Sequence, residues 1–302
     1  MTQNLFIGTA GFSYPDWEGI VYPAELKQRK IHPLGYLARF FDLCEINTSF
    51  YGHLRPAVAR NWCKTVASVN PAFQFSAKLF RAFTHAPAAG VQPTSATKLS
   101  PTLEDERLAR EGIDALVAEG RLAALLIQFP VSFKNTDENR HYVWELLEKF
   151  RDYPRALEIR HDSWNRAEFF AQLAALEVGF CNIDQPRLGR SLGATQHTTA
   201  QLAYVRLHGR NYKEWFQSDN RDDRYNYLYT PKELESWKNK IEQMSQRAEK
   251  TLTVTNNHYK GKAAANAIEL KTMLSGTKSR APATLVKEYP ELEQFAEVDP
   301  SL

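Results

Sequence analysis

Apolar residues along the chain occur in short runs, separated by segments in which they recur every three or four positions. Eight runs have the length and composition of buried strands, and they cover residues 5–10, 43–51, 73–79, 122–130, 156–161, 178–184, 202–209 and 251–257. Helical periodicity predicts helices over residues 32–41, 56–69, 108–117, 142–150, 169–176, 231–248 and 263–274. Strands and helices therefore alternate through most of the chain.

Alternating strands and helices are typical of a parallel sheet, and the nearly continuous apolar run at 122–130 suits a strand buried on both faces. Eight such strands fit a (β/α)8 barrel of the TIM type best, and we expect residues 1–302 to form a single domain. An open doubly wound sheet is the alternative, but the first strand is not followed by the G-x-G-x-x-G pattern of dinucleotide-binding sheets. No helical pattern separates the sixth and seventh strands, which predicts an irregular barrel at that point.

Polar residues occupy alternate positions inside several of the apolar runs. Side chains two residues apart in a strand point to the same face, so Glu45 and Asn47 share a face of the second strand, followed by Ser49. Glu158 and Arg160 share a face of the fifth strand in the same way. Because charged residues are rarely buried unless they are paired, this pattern indicates a polar cavity inside the barrel.

The carboxyl ends of the strands in a (β/α)8 barrel meet at one rim, where barrels of this type hold their active sites. Polar residues at or near the strand ends are therefore the candidate site residues: Glu45, Asn47, Tyr51, Lys78, Gln128, Glu158, Arg160, Asp184, Arg206, His208, Arg210 and Asn257. Only one of the adjacent residues Asn256 and Asn257 is expected to face inward, and we assign Asn257 to the substrate. The alternative is that the charges only neutralise one another inside a wide barrel.

Composition and charge indicate which class of ligand the predicted site binds. With 43% hydrophobic and 24% charged residues the chain is globular, and a net charge of +3 is too small to indicate nucleic-acid binding by itself. The predicted rim is richer in cations than the whole molecule: Lys78, Arg160, Arg206 and Arg210, with His85 close by. Guanidinium groups suit phosphate and carboxylate, so we expect a small anionic substrate.

The best candidate for proton transfer is His208, because the ordinary pKa of histidine lies near neutrality. Glu45 or Glu158 would be its carboxylate partner, or would act as a base itself. A core histidine that is bonded to a neighbouring carboxylate explains the same position equally well.

We expect no cofactor and no metal. The three cysteines, Cys44, Cys63 and Cys181, are widely spaced, and no H-x-H, H-E-x-x-H or D-x-D pattern occurs. Arginine and lysine among the carboxylates would also compete with a metal cation. A divalent metal held by carboxylates and histidines is the minority alternative.

Two long polar segments, 81–104 and 210–230, follow the third and seventh strands and are interpreted as loops over the rim. The second contains Tyr212 and Trp215, whose rings are suited to stacking on bases, so nucleic acid is a further possible partner. The first residues lack the pattern of a signal peptide, and no run of about 18 apolar residues occurs. We therefore expect a cytoplasmic protein that does not bind membranes.

Six motifs carry a resemblance to a known family. They begin at Ile7, Glu45, Gln128, Glu158, Val205 and Asn256 and run Ile-Gly-Thr-Ala-Gly-Phe-Ser-Tyr-Pro-Asp-Trp, Glu-Ile-Asn-Thr-Ser-Phe-Tyr, Gln-Phe-Pro-Val-Ser-Phe, Glu-Ile-Arg-His-Asp-Ser-Trp, Val-Arg-Leu-His-Gly-Arg and Asn-Asn-His. The motifs occur in this order within residues 6–274, and through them the chain closely resembles the YecE-like family, which is also called domain of unknown function 72. The resemblance implies a TIM-type barrel, broadly similar to endonuclease IV and sugar isomerase barrels, without an established activity.

The sequence thus predicts an enzyme that acts on an anionic small substrate, phosphate-bearing or a sugar acid, by acid/base chemistry at the C-terminal rim. Isomerase, lyase and phosphoester hydrolase activities all remain open. One alternative is a nucleic-acid-binding protein or phosphodiesterase that resembles the endonuclease IV barrels. Another is a ligand sensor without catalysis.

Overall fold

Eight parallel strands form a closed barrel in which each strand pairs with its neighbours in sequence. The computed structural model describes residues 4–86, 101–186, 189–211 and 224–299. The strands are β1 (Leu5–Ala10), β2 (Leu43–Ile46), β3 (Gln74–Lys78), β4 (Leu122–Gln128), β5 (Arg155–Glu158), β6 (Gly179–Asp184), β7 (Leu202–Leu207) and β8 (Lys250–Thr255). Pairing of β1 with β8 closes the barrel, and the predicted (β/α)8 fold is confirmed.

Helices surround the barrel, and most of them lie between consecutive strands. They are α1 (Glu25–Gln28), α2 (Pro33–Leu37), α3 (Thr48–Tyr51), α4 (Pro56–Ala67), α5 (Leu103–Ala118), α6 (Asp137–Lys149), α7 (Ala167–Ala175), α8 (Pro231–Ser245), α9 (Lys262–Ser275) and α10 (Ala283–Glu288). As predicted, no helix separates β6 from β7 within the described residues 185–186 and 189–201 of that connection. Across the ranges that the structure describes, no helix is both long and apolar enough to cross a membrane.

Threonine side chains fix where two of the longest helices begin. Thr102 Oγ1 accepts from the backbone N–H of Asp105, whose carboxylate accepts in turn from the Thr102 N–H. Thr230 and Glu233 form the same reciprocal pair at α8, where Pro231 has a φ suited to a first helical turn. These polar first turns carry no apolar periodicity, which explains why α5 begins before the predicted residue 108.

Apolar side chains pack in two layers. The larger layer lies between the outer face of the barrel and the helices. The smaller layer fills the barrel interior: Ala10, Leu43, Ala123, Ala124, Leu126, Ala156, Cys181, Ile183, Leu202, Tyr204, Leu252 and Val254. Two residues further along four of these strands, strand alternation places Glu45, Gln128, Glu158 and Arg206 on the same inner face. The interior therefore changes from apolar to charged toward the carboxyl ends of the strands.

The second strand is shorter than the sequence predicts. β2 ends at Ile46, and Asn47 lies immediately before the short helix α3 instead of continuing the strand. Ser49 Oγ lies 3.0 Å from the backbone oxygen of Ile46 and 2.7 Å from that of Lys78, at the end of β3. Short polar side chains compete for backbone hydrogen bonds in this way and favour turns. The predicted polar row is therefore wrong, and Glu45 alone of its three members faces inward from the strand.

The chain after the barrel forms an addition that the sequence analysis did not predict. Strands β9 (Ser279–Pro282) and β10 (Ala296–Asp299) pair in parallel, with α10 between them in sequence. Asp299 accepts a hydrogen bond from Arg39, which follows α2, at 2.9 Å, and from Arg280. Neither strand contains the apolar run that indicates a buried strand, because they read Ser-Arg-Ala-Pro and Ala-Glu-Val-Asp.

Gly8 in β1 lies so close to β2 that no side chain fits there. A Cβ atom at Gly8 would lie 1.7 Å from the backbone oxygen of Leu43. We expect Gly8→Ala to lower the free energy of unfolding by about 3 kcal/mol, because the two strands must separate. Urea denaturation followed by circular dichroism measures this loss. Gly52→Ala is the control, since no atom lies within 4 Å of a Cβ at that position, and equal losses in both variants would contradict the prediction.

Candidate active site

A buried arginine joins two carboxylates at the carboxyl end of the barrel interior. Arg206 on β7 donates from Nη2 to Glu45 Oε1 at 2.7 Å and from Nη1 to Glu158 Oε2 at 2.5 Å. The exposed fraction of all three side chains is 0%. No two of the strands β2, β5 and β7 are neighbours, so these ion pairs cross the barrel interior.

The remaining carboxylate oxygens also have donors. Tyr204 Oη donates to Glu45 Oε2 at 2.9 Å and lies 2.7 Å from Ser76 Oγ. Arg160 Nε donates to Glu158 Oε1 at 2.7 Å. A buried ion pair is costly unless further hydrogen bonds satisfy its lone pairs, as they do here. Tyr204 and Ser76 were not among the predicted site residues, although each lies two residues before a predicted site residue on the same strand face.

The ion pairs hold the acidic and basic groups in their charged forms. Burial alone would raise the pKa of the Glu158 carboxyl, but Arg206 and Arg160 keep that pKa well below its usual range. Burial would lower the pKa of Arg206, and Glu158 and Glu45 raise it well above its usual value. At neutral pH Glu158 is therefore a carboxylate and has no proton to donate.

Lys78, at the end of β3, reaches the same carboxylates from nearer the solvent. Its Nζ lies 3.9 Å from Glu45 Oε1, beyond hydrogen-bond distance, and its side chain is 13% exposed. Burial and Arg206 lower the pKa of Lys78 to about 7, although Glu45 and Glu158 act in the opposite direction. Lys78 is therefore a mixture of ammonium and free amine at neutral pH.

His208 lies between the two arginines. Its Nε2 is 3.3 Å from Arg160 Nη2 and 3.3 Å from Arg206 Nη1, and its Nδ1 is 2.8 Å from the Asn256 amide. Guanidinium groups and the Asn256 amide nitrogen Nδ2 only donate, so both ring nitrogens of His208 face donors, which disfavours the protonated ring. Burial, Arg206 and Arg160 lower the pKa of His208 to about 3. The expectation that His208 titrates near neutrality is wrong, and the neutral ring instead orients the two guanidinium groups.

These contacts connect seven residues into a central cluster inside the barrel: Glu45, Lys78, Glu158, Arg160, Tyr204, Arg206 and His208. Six of the seven were predicted site residues, and the structure brings all six together.

Asn256, and not Asn257, faces the barrel interior. Asn256 contacts His208, whereas Asn257 Nδ2 donates to the Tyr227 backbone oxygen at 2.8 Å and to Asn266 Oδ1 at 2.9 Å on the helix side. Adjacent residues at a strand end point to opposite faces, so only one of the pair can continue the interior row of β8. The prediction that Asn257 faces the cavity is therefore wrong.

Asp184 and Arg210 also lie on the helix side. Arg210 Nε is 3.0 Å from both carboxylate oxygens of Asp184, and its Nη1 donates to Glu233 at 2.9 Å. Trp237 Nε1 donates to Asp184 at 2.7 Å. Ile183 belongs to the interior layer, so the next residue in β6 faces outward. Asp184 and Arg210 thus connect β6 to α8 and are not part of the central cluster, contrary to the prediction.

Three further predicted residues lie at the edge of the central cluster. Gln128 Oε1 is 3.5 Å from Arg206 Nη1. Asn47 Oδ1 is buried and has no hydrogen-bond partner within the described part of the chain, which leaves it available to a ligand. Tyr51 is 60% exposed and packs edge-on against Phe50, so it lies outside the cavity.

His85 approaches the central cluster from the segment after β3. Its Nδ1 lies 2.8 Å from Thr84 Oγ1, and its ring packs edge-on against Phe50. Burial lowers the pKa of His85 to about 4, and the nearby charges of Arg160 and Lys78 act in the same direction. His85 is uncharged at neutral pH and does not add the positive charge that the sequence suggested.

The described residues include no group of three or more His, Cys, Asp or Glu side chains that could hold a metal ion. Both interior carboxylates accept from guanidinium groups instead. The cysteines Cys44, Cys63 and Cys181 are buried free thiols. Tyr212 and Trp215, on which the nucleic-acid alternative depends, lie outside the described residues.

Comparisons with known proteins agree with this fold. The family model described as "Protein of unknown function DUF72" matches residues 6–290. The UPF0759 protein YunF of Bacillus subtilis (strain 168) is 28% identical over 280 residues, which cover 89% of this chain and 94% of that protein. A crystal structure of a DUF72 family protein from Thermotoga maritima MSB8 has a TM-score of 0.75 at 32% identity, covering 90% of this chain and 99% of that one. Another, from Enterococcus faecalis V583, has a TM-score of 0.74 at 25% identity, covering 90% and 95%.

Replacing Arg206 removes the cation that two buried carboxylates share. We expect Arg206→Met to lower the free energy of unfolding by about 3–5 kcal/mol, because Glu45 and Glu158 remain buried with too few donors. Combining this change with Glu45→Gln and Glu158→Gln should restore part of the loss. Urea denaturation measures both variants, with Arg151→Met, an exposed arginine paired with Glu148, as the control. A single variant as stable as the wild type would contradict this account.

The low pKa of Lys78 makes its contribution to stability depend on pH. Folding lowers this pKa from 10.5 to about 7, so the unfolded chain binds more protons between these values. The cost of burying the ammonium is complete below about pH 7 and disappears as the pH rises toward about 10. We therefore expect Lys78→Met to gain more stability over the wild type at about pH 6 than at about pH 9.

Chemical denaturation of both proteins at the two pH values measures this difference. Lys27→Met is the matched control, because the Lys27 side chain is 72% exposed and pairs only with Glu18 among the described residues. The same gain at both pH values for Lys78→Met would show that the amine does not titrate in this range.

Proposed function

The chain belongs to the DUF72 family, and from that premise we propose that it is an enzyme acting on an anionic, hydroxyl-rich small substrate at the C-terminal rim of the barrel. The substrate carries a phosphate group or is a sugar acid, and the reaction proceeds by acid/base chemistry. The family supplies the barrel, and the proposal for the substrate comes from the charges of the central cluster.

The order of charges from the solvent inward is the observation that carries this proposal. The carboxylates of Glu45 and Glu158 are fully buried, whereas the side chains of Lys78 and Arg160 are 13% and 16% exposed. A ligand that enters from the rim therefore meets the guanidinium of Arg160 and the partly protonated amine of Lys78 before it meets a carboxylate. Positive potential focused at a cavity mouth favours anions.

Arg160 is the residue that would hold the anion. Its Nε donates to Glu158 and its Nη2 faces His208, while its Nη1 has no partner in the described ranges. The neighbouring carboxylate and the neutral imidazole thus fix the guanidinium plane and leave one side of it for a ligand. A guanidinium held in this way suits the planar recognition of phosphate or carboxylate oxygens.

Lys78 replaces His208 as the group that would move protons. A general acid or base works best when its pKa lies near the working pH, and Lys78, at about 7, meets this condition. His208, with its low pKa and two arginine contacts, does not. Asn47 and Gln128 are the neutral residues positioned to orient substrate hydroxyl groups.

Anion binding and protonation of Lys78 are coupled in this arrangement. A phosphate bound at Arg160 adds negative charge near the amine, which favours the ammonium and raises its pKa. Phosphate binding at about pH 7 should therefore take up a proton.

Isothermal titration calorimetry with inorganic phosphate and with a panel of sugar phosphates and sugar acids tests this proposal. We expect Arg160→Ala to weaken binding by about tenfold or more, the size of a lost charged hydrogen bond, and Arg151→Ala to leave it unchanged. Titrations in two buffers of different ionisation enthalpy measure the proton uptake, which should disappear in Lys78→Met. An affinity that Arg160→Ala does not change, or no binding of any compound in the panel, would disprove the proposal.

A further inference from the structure

The amine of Lys78 has no hydrogen bond within the described part of the chain, although it is nearly buried. The other charged groups of the central cluster donate or accept at 2.5–2.7 Å, whereas the nearest carboxylate oxygen to Lys78 Nζ is at 3.9 Å. The lone pair of the free amine is therefore not engaged by a neighbouring group. In the central cluster Lys78 is also the one primary amine.

The structure fixes the position of this amine at the carboxyl end of β3, next to the central cluster. The backbone oxygen of Lys78 lies 2.7 Å from Ser49 Oγ, which ties the end of β3 to α3. The Phe50 ring centroid lies 5.7 Å from Nζ, and Glu45 Oε1 lies 3.9 Å from it. The nitrogen thus has an apolar ring and a fixed carboxyl group as neighbours, while its side chain stays 13% exposed.

We propose that Lys78 is a nucleophile that forms a Schiff base with the carbonyl group of an anionic aldose, ketose or keto acid. The inference deepens the proposed function and depends on it for the anionic part of the substrate. It narrows the substrate class from hydroxyl-rich anions in general to those that carry an aldehyde or ketone.

The reaction balances without any further reagent. The free amine adds to the carbonyl carbon, so the N–C bond forms as the C=O π bond breaks, and one amine proton passes to the oxygen. The second amine proton then leaves with the hydroxyl group as water, and the C=N bond forms. Lysine amines become effective nucleophiles of this kind when they are desolvated and lie next to other cations. Lys78 meets both conditions, because burial and Arg206 are the main causes of its low pKa.

The central cluster also contains groups that would stabilise the imine product. Uptake of one proton from the solvent converts this imine into a cation, and Glu45, whose Oε1 lies 3.9 Å from Lys78 Nζ, is close enough to stabilise it. Arg160 would hold the phosphate or carboxylate of the same molecule. Because a protonated imine withdraws electrons from the adjacent carbon, it favours C–H or C–C bond cleavage there. The inference thus favours isomerase or lyase chemistry over phosphoester hydrolysis.

Reductive trapping tests this inference on the full chain. The protein is incubated at about pH 7 with sodium cyanoborohydride and one of three probes: glyceraldehyde 3-phosphate, dihydroxyacetone phosphate or pyruvate. Intact mass and peptide mapping then locate the reduced adduct. We expect a single adduct at Lys78 that forms at least about tenfold faster than at exposed lysines, because much more of Lys78 is free amine at this pH. Inorganic phosphate should slow it by competition.

Two variants separate the nucleophile from its surroundings. Lys78→Arg keeps a cation at the rim but cannot form an imine, so it should abolish the single adduct while retaining phosphate binding. Lys27→Arg, at an exposed position, should leave the adduct unchanged. Circular dichroism and thermal unfolding check that Lys78→Arg is folded.

Adducts spread over exposed lysines, or no adduct at Lys78 with any of the three probes, would overturn the inference. If phosphate binds, Arg160→Ala weakens its binding and no adduct forms at Lys78, the proposed function is supported, but the role of Lys78 as a nucleophile is disproved. If pyruvate forms an adduct at Lys78 but Arg160→Ala changes neither the rate of adduct formation nor the affinity for phosphate, Schiff-base formation at Lys78 is supported. The anion site at Arg160 is then disproved.

Discussion

The charge of Arg206 inside the barrel is the constraint on which the rest of the site depends. A guanidinium cannot be buried alone, and here two carboxylates from non-adjacent strands neutralise it. Those carboxylates in turn need their own donors, which Tyr204 and Arg160 supply. The hydrogen bonds of the polar interior therefore require the correct strand register. A shift of one residue in β2, β5 or β7 would turn a charged side chain toward the helices.

The same charge sets the properties of the groups around it. Arg206 keeps the pKa of Glu158 low against the effect of burial, and it adds to the effect of burial in lowering the pKa values of His208 and Lys78. The fully buried Arg206 thereby affects the protonation of Lys78, whose side chain is partly exposed to solvent. Perturbed pKa values gathered at the mouth of a cavity are typical of functional sites, although structural ion-pair networks produce them too.

Much of this arrangement could be predicted from the sequence, because it follows from strand alternation. Glu45, Lys78 and Arg206 lie inside strands, where alternation determines the face, and they meet as expected. The predictions that were wrong concern residues at strand ends. Asn257 and Asp184 each face outward, since one residue of shift reverses the face. Asn47 lies immediately before a helix that short polar side chains favour over the strand. The low pKa of His208 could not be predicted, because it depends on complete burial and on two arginines at 3.3 Å that sequence alone does not place.

The pairing of β1 with β8 and the contact between Glu45 and Arg206 have a consequence for synthesis of the chain. The two charged partners are separated by 161 positions in sequence, and the barrel closes only when the eighth strand has been made. A ribosome-bound chain that ends before β7 has Glu45 without its counter-ion, so the first half cannot complete a dry interior by itself. Such long-range contacts slow folding, and the nascent barrel is therefore expected to stay open, hydrated and accessible to chaperones until its last quarter emerges.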